Sequence, residues 1–557
     1  MSKQSAGSTK VWVLALTSIG SLMVVLDAMV VATALSTMRI ELDASLETLQ
    51  WTMNAYNLSF AVLLMTGAAL GDRFGRRRTL VAGLALFVAA SVACALAGSA
   101  GLLIAARAVQ GAGAAMVMPL AMALLSVAFP PEERGKALGI FSSITGLALI
   151  IGPMAGGAIS EGLSWHWIFW LNVPVGIVLI PLVLRRIPES YGPGTAIDVL
   201  GVVLVTAASF GVVWGLMRGN IVGWSSSEVL TALTAGLLLA IAFVLWQLRT
   251  REPMLPLRFF RARAFSSGVG ANFLLCAAMY GLVFLLPQFL QFAQSRGPLG
   301  AGMGLLPWTA TLFVVAPISG SLINRVGERW LVVAGLILQA AGMAWLAQIA
   351  APDLPYIQLV APLIITGAGV SMAMPAAQNA VLNAVARPEV GKAAGTFNTF
   401  RFLGGVSGIA IAGAVFAGTG SFESTTAFSD GFASAIGVSA LLSLAGALVG
   451  MGLPERRTVV LANASKEAEC RSEAESSRGC REAGPASTRR FRGLFCRRLC
   501  RSRPHTHRCR ERSCSRHSNS GPAGPTYPQT NFAPVKAASM LHRSTSAADI
   551  GAPGSAR

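Results

Sequence analysis

Charge is scarce in this chain: only 12% of its 557 residues are Asp, Glu, Lys or Arg, while 54% are hydrophobic. Soluble domains carry about 25% charged residues, and half that fraction cannot cover a water-facing surface. Phe60 to Leu70, Leu80 to Ile104 and Ala137 to Ile159 contain no charge at all. A large soluble protein with buried helices needs charged outer faces, and these segments have none. Cysteine is sparse where a disulfide framework would need it. Six of the eight lie beyond Pro454, leaving Cys94 and Cys276 alone inside apolar segments. No Gly-x-x-x-x-Gly-Lys-Ser/Thr loop is present, which argues against an ATP-driven pump. The body also lacks a nucleophile–base or metal-ligand constellation, so neither an enzyme nor a metal site is expected. At the N-terminus, Val11 to Leu35 is too long for the apolar core of a cleavable signal peptide and reads as a first membrane span.

What the chain does have is about fourteen apolar blocks near the ~20 residues that a bilayer crossing requires. They fall at 11–36, 49–70, 79–98, 102–128, 137–160, 167–187, 197–217, 229–248, 266–292, 301–323, 330–350, 356–383, 393–418 and 432–453. The expected fold class is all-α: a polytopic membrane protein of about fourteen transmembrane helices, in two six-helix halves plus two central helices. The expected organisation is an N-terminus at 1–10, an N-terminal bundle at 11–187 and two additional central helices with their loops at 188–265. A C-terminal bundle at 266–453 and a basic tail at 454–557 follow.

The net charge of +19 suggests a nucleic-acid partner only until its distribution is read. The tail from Pro454 carries +12 of it, and no nucleic acid is expected. In the body, one set of alternate loops holds nineteen basic residues, including Arg73, Arg76, Arg77, Arg78, Arg185 and Arg186. The other set holds three: Arg39, Arg218 and Arg296. Under the positive-inside rule the basic side is cytoplasmic, and both termini lie there. Arg107 and Arg401 fall inside spans. A faint repeat relates the halves: Leu70-Gly-Asp-Arg-Phe-Gly-Arg-Arg after the second span returns as Leu322-Ile-Asn-Arg-Val-Gly-Glu-Arg after the tenth. Repeated bundles rocking about a central site are the usual architecture of secondary transporters.

Residues 67–78, Gly-Ala-Ala-Leu-Gly-Asp-Arg-Phe-Gly-Arg-Arg-Arg, place Asp72 where it can cap or pair at a helix junction and Gly75 where a tight turn is needed. With its echo, this segment resembles the loop signature of the major facilitator superfamily, with Ala68 where that pattern usually has Gly. Further motifs are similar to those of its fourteen-span drug:proton antiporter family. They are Leu26-Asp-Ala-Met-Val-Val-Ala-Thr-Ala-Leu35, Trp51-Thr-Met-Asn-Ala-Tyr-Asn57, Arg107-Ala-Val-Gln-Gly-Ala-Gly-Ala-Ala115 and Gly152-Pro-Met-Ala-Gly-Gly157. Trp165-His-Trp-Ile-Phe-Trp-Leu-Asn-Val-Pro-Val-Gly176, Ile197-Asp-Val-Leu-Gly201 and Phe397-Asn-Thr-Phe-Arg-Phe-Leu-Gly-Gly405 continue the match. His166 stands where Arg is usual, and Phe402 where Gln is frequent. The likeness covers about 11–453.

The resemblance implies a major facilitator fold and export of a hydrophobic or cationic drug or antibiotic across the plasma membrane in exchange for protons. It implies no cofactor, the proton gradient being the energy source, and a chain that functions as a monomer in the lipid bilayer. It assigns Asp72, Arg73, Gly75 and Arg76 to a loop that switches with conformation. Gly152, Pro153, Gly156 and Gly157 become an antiport motif. Independently, a charge inside a span is costly, and one is a functional candidate by default. Counting helical rise from the span ends brings Asp27 and Arg107 to similar depths, so we expect them to pair, with Asp27 carrying the coupling proton and Arg107 tuning it. Polar candidates for a substrate cavity are Asn54, Tyr56, Asn57, Gln288, Gln291, Gln378, Asn379 and Arg401. Phe60, Met65, Phe284, Phe289 and Trp308 are candidates for an adaptable apolar wall. A nutrient facilitator or importer, or a non-transporting sensor, on the same fold is the alternative. In the tail, Cys496, Cys500, His505, His507, Cys509 and Cys514 fit no strong zinc spacing. The tail's composition predicts disorder.

Overall fold

The computed structural model describes residues 3–192, 198–250, 253–385 and 389–455. The tail beyond Glu455, Ile197, Arg251 and Arg387 lie outside the described residues. Among those described, fourteen helical segments are long and apolar enough to cross a membrane. The chain is a multi-pass membrane protein.

The N-terminal half comprises α1 (Lys3–Glu41), α2 (Leu46–Phe74), α3 (Arg76–Ala95), α4 (Ala100–Ala128), α5 (Pro131–Gly162) and a sixth span broken into α6 (His166–Trp170) and α7 (Asn172–Arg186). The break has a local cause. Pro174 lacks the N–H that a continuous helix would donate to the Trp170 carbonyl. Two central helices follow, α8 (Val199–Val222) and α9 (Ser227–Arg249). A 3₁₀ turn at Leu257–Arg261 leads into the C-terminal half. That half comprises α10 (Arg263–Gln288), α11 (Pro298–Gly304) and α12 (Leu306–Val326) as one broken span, α13 (Glu328–Ile349), α14 (Tyr356–Asn383), α15 (Val390–Thr419) and α16 (Thr425–Gly450). A π-helical turn, Phe289–Ala293, extends α10.

Several helices run further than the apolar blocks. The first reaches Glu41, where the hydropathy expectation ends at 36, and the last begins at Thr425, not at 432. Serine caps explain four of the earlier starts. Ser45, Ser99, Ser226 and Ser424 accept hydrogen bonds from the backbone N–H of Thr48, Leu102, Val229 and Ala427 at 3.2, 3.4, 3.3 and 3.1 Å. Each neutral cap satisfies an otherwise orphan donor. All four lie on the side whose loops are poor in basic residues, hereafter the sparse side.

The repeat is visible in packing. In the first half α4 packs against both α2 and α3; in the second, α14 packs against both α12 and α13. The turns after α2 and α12 share a backbone. Gly75 has φ 104° and Gly327 φ 93°, a region in which any Cβ is strained. Each turn is clasped by a (Ile/Leu)-Pro-Glu segment that follows the last helix of its half. Glu189 accepts from the Arg77 N–H at 2.8 Å and lies 3.6 and 3.7 Å from the Arg77 and Arg78 guanidiniums. Glu455 pairs with Arg329 at 2.9 Å. Ile187 and Leu453, two residues before these glutamates, are each only 2% exposed.

The halves meet through α2 against α15 and α5 against α11, and α8 leans on both α2 and α15. On the sparse side, Gln291 Nε2 donates to the Thr33 carbonyl at 2.8 Å, and the Leu299 N–H donates to Glu161 at 2.9 Å. These contacts tie the two halves together on the sparse side.

Candidate functional site

α1 brings Asp27, and α4 brings Arg107, into the interior of the N-terminal half, where each is 1% exposed. They form an ion pair, Arg107 Nη1 to Asp27 Oδ2, at 2.5 Å. Burying two charges costs several kcal/mol per ion by desolvation, an amount recovered only when the remaining donors and acceptors are also matched. Here they are. Asp27 Oδ1 accepts from Gln110 Nε2 and from Asn172 Nδ2, both at 2.8 Å. Arg107 donates to Gln110 Oε1 at 2.7 Å and, through Nε, to the Thr52 carbonyl at 3.3 Å. Ser91 Oγ accepts from the Gln110 and Asn172 amides at 2.8 and 3.3 Å. The guanidinium also lies 4.2 Å from the Tyr56 ring, whose hydroxyl donates to the Val24 carbonyl at 3.1 Å.

This cluster joins five of the six spans of the half. Sequence reasoning placed Asp27 and Arg107 together and missed Gln110, Asn172, Ser91 and Thr52. Gln110 stands three residues from Arg107, on the same helical face. That spacing was a usable signal. Asn172 sits where α7 begins, after the short α6. Nothing in the sequence marked Ser91 beyond its being a hydroxyl in a span.

The loop residues also find partners. Arg76 holds Asp72 by Nε at 2.9 Å and Nη2 at 2.8 Å, while exposed Arg73 lies over the Phe74 ring at 5.4 Å. On α5, a Cβ at Gly152 would meet Met29 of α1 at 2.6 Å, and one at Gly156 would meet the Val30 carbonyl at 2.6 Å. A Cβ at Gly157 would overlap the Pro298 carbonyl of α11, and the Pro153 carbonyl abuts Gly302. Small residues thus let α5 press against α1 on one face and the opposite half on another.

The cavity candidates separate. Tyr56 belongs to the ion-pair cluster. Asn54 is fully buried and turns its amide to Met217 Sδ of α8 at 3.9 Å, away from the central space. Gln291 is part of the sparse-side seam. Asn379 donates to Glu328 at 2.8 Å at the α12–α13 turn, so its amide serves that turn and not the cavity. Gln378 beside it is half-buried. Asn57 Oδ1, Gln288 Oε1 and Arg401 Nε are buried without a hydrogen-bond partner among the described residues, as are Trp308 Nε1 and Asn272 Nδ2. Buried polar atoms are rarely left unmatched. Phe60 packs edge-on against Phe402 of α15 at 4.3 Å, joining the halves at mid-depth, and Phe289 stacks on Phe432.

Two related helical bundles, joined on the sparse side, with a buried ion pair inside the first, define a transporter of the major facilitator type. Residues 17–306 and 268–501 match the profile described as Major Facilitator Superfamily, and the chain belongs to that family. It is 33% identical over 408 residues to the tetracenomycin C resistance and export protein of Streptomyces glaucescens, covering 72% of this chain and 74% of that one. It is 32% identical over 448 residues to the methylenomycin A resistance protein of Streptomyces coelicolor, covering 80% and 93%. Among solved structures, a D-xylose–proton symporter shares the fold with TM-score 0.58 at 16% identity, covering 80% of this chain and 98% of the symporter. Drug and antibiotic efflux is the setting of these relatives by sequence, and the chain is a transporter, not an enzyme.

Proposed function

We propose that this protein exports an apolar or cationic drug-like compound in exchange for protons, with Asp27 as the proton carrier. The observation that carries the proposal is the buried Asp27–Arg107 pair, further bonded by Gln110, Asn172 and the Thr52 carbonyl, inside a span. Protonating Asp27 removes the charge that Arg107 answers and leaves a guanidinium uncompensated in the interior, a state that favours rearrangement. Arg107 also holds the Thr52 carbonyl and the Tyr56 ring of α2. Through Phe60–Phe402, α2 packs on α15 of the other half. Loss or gain of the proton is thereby linked to the seam between the halves.

In this reading the basic side is cytoplasmic. Cargo enters from the cytoplasm and meets the unpartnered Asn57 Oδ1, Gln288 Oε1, Trp308 Nε1 and Arg401 Nε atoms. Relatives named for resistance to tetracenomycin C and methylenomycin A support an antibiotic as cargo. The test is a resistance panel of antibiotics and cationic dyes in an efflux-deficient bacterial host. Wild type raises tolerance to at least one compound, and Asp27→Asn at equal membrane abundance does not. Unchanged tolerance in Asp27→Asn overturns the assignment.

A further inference from the structure

Between the central helical pair and the C-terminal half lies a cavity of about 410 Å³, within the range of ligand sites. Val212 of α8 and Phe243 of α9 line one side, Phe273 of α10 and Phe400 of α15 the other. Leu257 and Phe260 of the 3₁₀ turn close its basic-side end. The only polar side chains in the lining are Ser209 and Ser407, and the Ser407 hydroxyl is already bonded to the Leu403 carbonyl at 2.9 Å.

Residues three apart share a face in a 3₁₀ turn. Leu257 and Phe260 face the cavity, and Phe259 is buried against the Phe265 ring. Arg258 and Arg261 take the third face, and both are exposed. Arg249, ending α9, and Arg263, two residues beyond Arg261 at the start of α10, are also exposed. The carboxylates nearby are engaged. Asp198 accepts from Trp246 Nε1, Gln247 Nε2 and the Gly201 N–H, and Glu389 pairs with Arg258. Among the described residues, Arg249, Arg261 and Arg263 have no carboxylate partner.

We propose that this crevice binds an anionic phospholipid, one acyl chain lying between the central pair and α10/α15 and the phosphate resting on Arg261 and Arg263. An apolar wall bordering a bilayer is filled by hydrocarbon, because an empty crevice forfeits the dispersion contacts of its lining. A guanidinium offers phosphate two parallel hydrogen bonds, and interfacial arginines add attraction for anionic headgroups. An apolar drug matches the wall but leaves the arginines unanswered. The lipid would cement α8 and α9 to the C-terminal half.

The proposal is independent of proton coupling, and its test measures binding alone. The full chain in detergent is titrated with dioleoyl-phosphatidylglycerol or dioleoyl-phosphatidylethanolamine and read by native mass spectrometry. Wild type should retain phosphatidylglycerol preferentially. Arg261→Gln with Arg263→Gln should weaken that retention roughly tenfold or more, while the double Lys variant keeps most of it. Ser407→Leu, which fills the cavity without changing charge, should also weaken it; neutralising Arg185 and Arg186, on the same side of the other half, should not. Equal retention of the two lipids, or a preference that survives both the double Gln and the Ser407→Leu variants, overturns the site. So does displacement of the lipid by Hoechst 33342 at a strength the arginine variants leave unchanged, which would make the crevice a drug entrance.

Discussion

Arg107 meets Asp27 at 2.5 Å in the interior of the N-terminal half, with side chains 1% and 0% exposed. A pair so placed is more than the sum of two charges. Its three further amide and carbonyl partners, Gln110, Asn172 and the Thr52 backbone, hold it in one geometry. Any event that neutralises one member is felt by all.

Breaking the pair from one side should destabilise the fold. Arg107→Ala leaves a buried carboxylate with two amide donors and no countercharge, at a cost of about 3–5 kcal/mol. Thermal unfolding of the purified protein in detergent checks this. Replacing both members by leucine should recover much of the stability while abolishing transport. A double variant as unstable as Arg107→Ala would show that the loss comes from packing and not from the orphaned charge.

Closure on the sparse side should depend on Gly157. Valine there overlaps the Pro298 carbonyl of α11 and holds α5 away from the opposite half. Transport should be lost, and a cysteine at position 291, where Gln291 bonds the Thr33 carbonyl, should become reactive to a membrane-impermeant maleimide. Unaltered labelling and transport in Gly157→Val would show that the seam tolerates the added bulk.

The two turn clasps should be unequal. Glu189 is 16% exposed and binds a backbone N–H as well as two guanidiniums, whereas Glu455 is 55% exposed and makes one ion pair. Glu189→Ala should cost about 1–3 kcal/mol through the half-buried donor it orphans. Glu455→Ala should cost less than about 1 kcal/mol, as exposed ion pairs do. Comparing their unfolding temperatures settles the order.

How far the sequence revealed this arrangement depended on the kind of signal. Long apolar blocks marked the spans, and counting helical rise brought Asp27 and Arg107 together, because charge in a span is rare. Amides carried less information. Asn172 and Asn379 look alike in the sequence, yet one completes the ion-pair cluster and the other caps Glu328 at a turn. Interhelical amides commonly serve as packing glue, so only the fold separates the two roles. Helix ends were misplaced where hydropathy was read alone, although serines such as Ser45 and Ser424 carried a capping signal. The break before Asn172 was invisible to hydropathy, since both sides of it are apolar. The crevice beside α8 joins residues some two hundred positions apart in the chain, and no local pattern announces it.

The central claim is that Asp27 exchanges protons against cargo, and proton movement tests it most directly. Everted vesicles are energised to an acid interior, ethidium is added, and the collapse of the gradient is followed with acridine orange. Wild type should dissipate the gradient on ethidium addition. Asp27→Asn should not, despite normal membrane abundance, and Asp27→Glu should do so in part. Full dissipation by Asp27→Asn would contradict the account.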